Sequence, residues 1–508
     1  MGTHIYIVVG LAIYGCVMLG MSSFWMFRVR KAIDYLVAGR NLPYWILTGT
    51  ITAGCIGTGV VIGASGIAYQ YGWAGSAYPL GLGLGTVLTG WFFAHTRRHK
   101  FITLSEEISC YYNNNGAITE FCNVSLFLSQ LCWLTVQITG CGHVLGIVTG
   151  LNQEFCVVLA GFVTALIAIP GGFRTVVYTD FLNALVLLSG FGLLLHSALS
   201  HAGGLSGLRQ TIPPGNFSFL GHAAIGNLKL AGLLLVMVLS DIADPGRRLA
   251  IYSARTPAIA KWSMVTAGSV VMIFSVVTGV IGMYAFSLNP HLPAAQADQT
   301  FPWLVVNVLP TVLAAIVVVA ATAAILSCAN SNATAVGTYF VRHIFPLVAR
   351  RHPQNPIATA RWALAAAFII STAFALHTTS IIGFVVKFLP ITMSGLAVII
   401  LLGRFWKRAN WQGALAALIA TPAVSLIVLL TPPLQKFWGY PAIPAVVIGG
   451  LTQIVVSLLT PRQQTSFTDI AQKLMLERQD LESALANSAK SKTTTGNGEG
   501  VTAAQFSN

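Results

Sequence analysis

The sequence predicts an all-α polytopic membrane protein with about thirteen transmembrane helices. Three observations predict it. Only 8% of the 508 residues are charged, against roughly a quarter in soluble globular proteins, and the mean hydropathy is +0.74. Apolar runs of crossing length, about 20 residues, recur along the chain. With the N-terminus placed outside, 24 of the 28 Lys and Arg fall in inside loops and the tail, and only Arg209, Lys229 and Lys436 fall outside. That asymmetry is the positive-inside signature, so the C-terminus is expected in the cytoplasm and the chain in the cell inner (plasma) membrane. It accounts for the net charge of +14 without a nucleic-acid partner. No loop is large enough to be a soluble enzyme.

The first span, 4–25, has no basic residue ahead of it, and Arg28, Arg30 and Lys31 follow it. That is the order of a retained span, not a cleaved signal. The second, 42–70, is interrupted by Gly54, Gly57, Gly59, Gly63 and Gly66. Spans at 74–95, 117–149, 154–171 and 176–199 follow. The seventh, 227–242, has a short apolar core and runs into Ser240, Asp241, Asp244, Pro245 and Gly246. Then come 262–287, 303–328, 359–377 and 380–403, and two trailing spans, 411–431 and 441–459. In lipid, unwound backbone survives only where protein buries it or where it lines a cavity. The two interrupted spans lie five apart. Spans 2–6 and 7–11 therefore read as two halves, each opening on a broken helix, the pattern that marks a transporter's solute site.

The domains expected are a leading helix and loop (1–41), a transport core (42–403, with repeats 42–199 and 227–403), two trailing helices (404–459) and a largely disordered polar tail (460–508). In the tail, Ile470, Leu474, Leu481 and Leu485 have near-helical spacing, which suggests a short amphipathic helix. The eight scattered cysteines read as small apolar fillers.

Four motifs carry a family resemblance. The first loop reads Asp34-Tyr35-Leu36-Val37-Ala38-Gly39-Arg40. Span 5 ends in Gly171-Gly172-Phe173, with Val176, Val177, Tyr178, Thr179 and Asp180 after it. Span 9 carries Ala323-Ala324-Ile325-Leu326-Ser327-Cys328, and span 11 closes on Leu401-Leu402-Gly403-Arg404-Phe405-Trp406-Lys407. In this order, over residues 30–460, the sequence resembles the sodium:solute symporter family. The resemblance implies a leucine-transporter-like 5+5 inverted-repeat core with one leading and two trailing helices. It also implies sodium as coupling ion, not as a prosthetic group. Its sodium ligands would be the Ala53 and Ile56 carbonyls, Ala324, Ser327 and Cys328, and Asp180 would stand on the ion path. Cys328 departs from the family's Ser or Thr, and thiol sulfur is a poor sodium ligand. Cys55, Asn330 and Asn183 stand where relatives carry Asp, Asp and Gln.

Lys387 is the one basic residue well inside a span. Beside Val386, it is a candidate to hold a substrate carboxylate; alternatively it snorkels to the surface. Val60, Gly63, Trp133, Gln137, Asp241 and Asp244 complete the solute candidates, and the two aspartates suit a choline-type amine equally well. For Asp180 the alternative is an ion pair with Arg174 or Arg248. The function expected is a cation-coupled symporter, importing a small, carboxylate-bearing organic solute by alternating access. Proton coupling, or a solute sensor that does not pump, are the rivals. The partners are solute, sodium and lipid bilayer; the sequence does not speak to oligomeric state.

Overall fold

The computed structural model describes residues 2–26, 32–378, 381–463 and 466–476. Arg28, Arg30, Lys31, Leu481 and Leu485 lie outside them. The described chain is helical, and no β-strand occurs among the described residues. Among the described residues ten helices are long and apolar enough to cross a membrane, or eleven with the bent pair Gly383–Thr392 and Ser394–Phe405, which meet at 41°.

The leading helix α1 (Gly2–Met26) leans on the bundle along one side, and Ile5, Tyr6 and Ile13 remain exposed on the other. The interrupted second segment is α2 (Tyr44–Cys55) and α3 (Ser65–Tyr71). After it come α4 (Ala77–Phe93), the short α5 (Leu104–Tyr111) and α6 (Gly116–Thr149). The next pair, α7 (Gln153–Pro170) and α8 (Gly172–His201), is joined at Gly172, whose φ is +61°. A Cβ there would lie 2.5 Å from the Tyr35 ring. Tyr35 Oη in turn donates to the Ile169 carbonyl at 3.1 Å. The first-loop and double-glycine motifs thus pack on one another, and the ring can approach only because residue 172 has no side chain.

The second half opens with α9 (Asn227–Ile242) and α10 (Pro245–Ser253), then α11 (Pro257–Leu288). The ninth expected span needs correction. Residues 300–307 form a separate short helix ahead of Pro310, and the crossing helix α12 runs Thr311–Ala349. Pro310 cannot continue a helix from the preceding turn. At the other end Asn330 and Thr334 are buried by neighbouring helices, so their polarity does not end α12. α13 (Pro356–Leu376), the bent pair α14 (Gly383–Thr392) and α15 (Ser394–Phe405), α16 (Trp411–Leu430) and α17 (Ala442–Leu459) complete the bundle.

Part of the polar tail is ordered against the protein. Residues 467–476 are helical, with Ile470 and Ala471 buried. Phe467 packs on Tyr111 (ring centroids 4.9 Å), His99 (5.3 Å) and Phe101 (6.2 Å).

Candidate functional site

The two interruptions meet at the centre of the bundle. α2 ends at Cys55, and Ile56 leaves helical geometry (φ −94°, ψ 82°). The chain resumes through one wide π turn, Gly59–Ala64, into α3. Several of the glycines permit close approach. A Cβ on Gly57 would lie 2.5 Å from Cys328 Sγ and 2.8 Å from Gln137 Oε1, and one on Gly59 would collide with the Tyr78 hydroxyl. The break exposes an N–H at Thr58, which donates to Gln137 Oε1 at 2.9 Å. α9 breaks at Ala243. Asp244 caps α10 by accepting from the Gly246 N–H at 2.7 Å, and Pro245 occupies the first helical position, where its missing N–H costs nothing.

Between the breaks lies a cavity of about 40 Å³, room for a few waters and too small for an organic solute. Its lining includes Gly54, Cys55, Val60, Tyr78, Trp133, Gln137, Asp241, Asp244, Arg247 and Cys328. Arg247 is 7% exposed and Asp241 2%. Arg247 Nε donates to Asp241 Oδ1 at 2.8 Å, Nη2 donates to the Gly54 carbonyl at 3.0 Å, and Asp244 Oδ2 lies 4.0 Å away. Asp241 Oδ2 is buried and, among the described residues, has no well-aligned hydrogen-bond partner.

Beside this cavity, α12 faces the freed carbonyls of α2. The Cys328 thiol donates to the Ala53 carbonyl at 3.4 Å and to that of Gly54 at 3.2 Å. The Ser327 hydroxyl donates to Asp180 Oδ1 at 2.6 Å, and that of Ser331 to Oδ2 at 3.4 Å. Asp180 lies within α8 and is fully buried. It pairs with neither basic candidate, because Arg174 binds Asp34 at 3.1 Å and Arg248 lies 3.9 Å from Glu107.

The structure gathers most of the candidates from sequence. Val60, Trp133, Gln137, Asp241, Asp244 and Cys328 line the cavity. Ala53, Ile56, Ala324 and Ser327 are buried on the two helices that flank it. Gly63 and Val386 are buried outside the lining. Lys387 follows the second of its two readings: its side chain is exposed and no part of the lining. The cation that does line the cavity is Arg247, which in sequence looks like any other inside-loop charge.

Comparison with known proteins places this arrangement. The sequence matches the sodium:solute symporter family over residues 35–421. The chain belongs to this family. The symporter is 25% identical over 471 residues to the sodium/pantothenate symporter of Escherichia coli strain K12, covering 88% of this chain and 95% of that one. It is 24% identical to the sodium/glucose cotransporter of Vibrio parahaemolyticus, covering 84% and 85%. Against the high-affinity choline transporter 1 of Drosophila melanogaster the identity is 24%, over 80% of this chain and 68% of that one. Among solved structures, a Na⁺-coupled sialic acid symporter in its substrate-bound outward-open state superposes with a TM-score of 0.74 at 19% identity, covering 91% of this chain and 99% of that one. MhsT in complex with L-phenylalanine superposes at 0.56 and 13% identity, covering 81% and 97%. The fold is therefore that of this transporter group, and the symporter is a transport protein rather than an enzyme.

Proposed function

We propose that the symporter couples sodium entry to uptake of a small zwitterionic solute of amino-acid type, by alternating access. The observation that carries the reading is the cavity at the meeting of the two breaks, with Asp241, Asp244 and Arg247 in its wall. Two carboxylates against one guanidinium leave an excess negative charge, and among the described residues Asp241 Oδ2 has no close, well-aligned donor. An ammonium group on the solute satisfies that oxygen. A solute carboxylate is balanced by Arg247 and the incoming sodium. Lys387 takes no part, so a purely anionic solute loses the support it had from sequence. The size of the cavity fits a closed conformation whose walls part to admit solute.

For sodium we propose the carbonyls of Ala53, Ile56 and Ala324 and the Ser327 hydroxyl, with Cys328 facing the ion and Asp180 receiving it on the way out. Carbonyl and hydroxyl oxygens suit a hard cation. Counting the interrupted α2–α3 and the 16-residue α9 as crossings gives thirteen spans, in the four-part division 1–41, 42–403, 404–459 and 460–508. The charge asymmetry supports an outside N-terminus and a cytoplasmic C-terminus in the plasma membrane.

The test is counterflow and uptake in proteoliposomes against a panel of amino acids, betaines, choline, monocarboxylates, pantothenate and sugars. Each is run with a sodium gradient, and again with potassium in its place. Zwitterions should compete best, uptake should vanish without sodium, and Asp241→Asn should abolish competition. Uptake that persists in potassium and collapses with a protonophore would replace sodium by protons. Binding without exchange would make the protein a sensor.

A further inference from the structure

Arg247 touches both interruptions at once. It stands on α10, just past the break in the seventh segment, and its guanidinium reaches across to the break in the second. Nε is held by Asp241 at 2.8 Å, and Nη2 donates to the Gly54 carbonyl at 3.0 Å. That carbonyl also accepts from the Cys328 thiol at 3.2 Å, and the same thiol reaches the neighbouring Ala53 carbonyl at 3.4 Å. A carbonyl freed by a helix break has no intrahelical donor to fix its direction. Here an ionised donor fixes it, and such charge-assisted bonds are the stronger kind. Gly54 leaves room for this approach: a Cβ at 54 would lie 3.3 Å from Arg247 Nη1.

We propose that Arg247 is a positioning residue for the ion site. It fixes the Gly54 carbonyl, next in the chain to the proposed ligand Ala53, from the second broken helix, so that a movement of α9 or α10 is felt at the sodium ligands. The proposal rests on the sodium reading above. It concerns the shape of the guanidinium and not its charge alone, and the two make opposite predictions. A cation near sodium repels it, so a residue acting by charge alone would weaken sodium binding, and its removal would tighten it. A residue acting by position cannot be replaced by lysine, whose compact ammonium lacks the planar fork that serves an Asp and a carbonyl together.

The experiment titrates sodium chloride alone into the purified full-length protein, with N-methylglucamine chloride holding ionic strength constant. Tryptophan fluorescence is the readout, since Trp133 lines the cavity. Wild type is compared with Arg247→Lys, Arg247→Gln and Gly54→Ala. Positioning predicts that Arg247→Lys and Gly54→Ala each raise the sodium half-saturation about tenfold, although neither changes the charge, and that Arg247→Gln does not fall below wild type. Gly54→Ala keeps the test alive if the Arg247 variants fail to fold. Half-saturations of Arg247→Lys and Gly54→Ala within twofold of wild type, or a tighter Arg247→Gln, overturn the proposal and leave the sodium reading standing. A wild type with no sodium response overturns the sodium reading itself.

Discussion

Replacing Cys328 by serine should tighten sodium binding. The thiol lies 3.4 Å from the Ala53 carbonyl and 3.2 Å from that of Gly54, beside the proposed ligand Ser327. Sulfur is soft and sodium hard, so the wild-type protein spends this position on a weak S–H contact. A serine hydroxyl adds an oxygen ligand. A hydrogen bond or ligand contact to a charged group is worth roughly 1.5–3 kcal/mol, and the neutral bond from hydroxyl to carbonyl that the ion displaces is worth about 0.5–1.5 kcal/mol. The difference is about 1–2 kcal/mol, which lowers the sodium half-saturation roughly five- to thirtyfold. The assay is solute uptake in proteoliposomes at stepped sodium concentrations, with Cys328→Ala as companion. The alanine variant should stay near wild type, because it removes only the weak contact. A serine variant with unchanged or raised half-saturation would show that residue 328 does not face the ion.

Three further outcomes follow from the same geometry. Ser327→Ala should raise the sodium half-saturation at least about tenfold, since it removes a hydroxyl ligand worth upwards of 1.4 kcal/mol and the 2.6 Å donor of Asp180; Ser327→Thr should recover part of the loss, and an alanine variant with wild-type sodium dependence refutes the role. Gly57→Ala should abolish uptake with the protein still in the membrane, because its Cβ would lie 2.5 Å from Cys328 Sγ and 2.8 Å from Gln137 Oε1; uptake assayed beside surface expression decides. Glu107→Gln should cost about 3–5 kcal/mol, the usual penalty for stranding one partner of a buried ion pair. Its carboxylate receives the Tyr111 and Tyr252 hydroxyls at 3.1 and 2.6 Å and lies 3.9 Å from the fully buried Arg248. Thermal unfolding in detergent checks it, and an unshifted midpoint counts against the pairing.

The breaks are legible because helix-weakening residues cluster in corresponding places: five glycines in one segment, and Asp244-Pro245-Gly246 in the other. The neighbourhood of Ser327 and Cys328 was legible through motif order. What stayed hidden depends on the path of the chain between elements. Arg247 follows Asp241 by six residues, which is no helical repeat, and only the bend at Ala243 folds it back onto its partner. In sequence it counts as one more inside-loop charge. Lys387 stays ambiguous in sequence for the converse reason. A lysine within an apolar run implies a buried charge only if its helix turns it inward, and a long flexible stem lets it stay exposed. Asp180 reads as a boundary residue, yet the hydroxyls of Ser327 and Ser331 receive it deep inside the protein.

The docked segment 467–476 bears on how the protein is made. Its Phe467 fills the space among His99, Phe101 and Tyr111, and Gln463 binds the Tyr111 carbonyl at 3.2 Å. These partners are synthesised more than 350 residues earlier than the segment that covers them. Until it arrives, every nascent chain shows that aromatic surface, and chains emerge and fold from the N-terminus. A chain that stops before residue 466 keeps it uncovered, although the last apolar crossing helix, Ala442–Leu459, is already made. Segment 467–476 thus leaves a mark on the folded molecule, by which a chain carrying it differs from one truncated ahead of it in the apolar surface left in view.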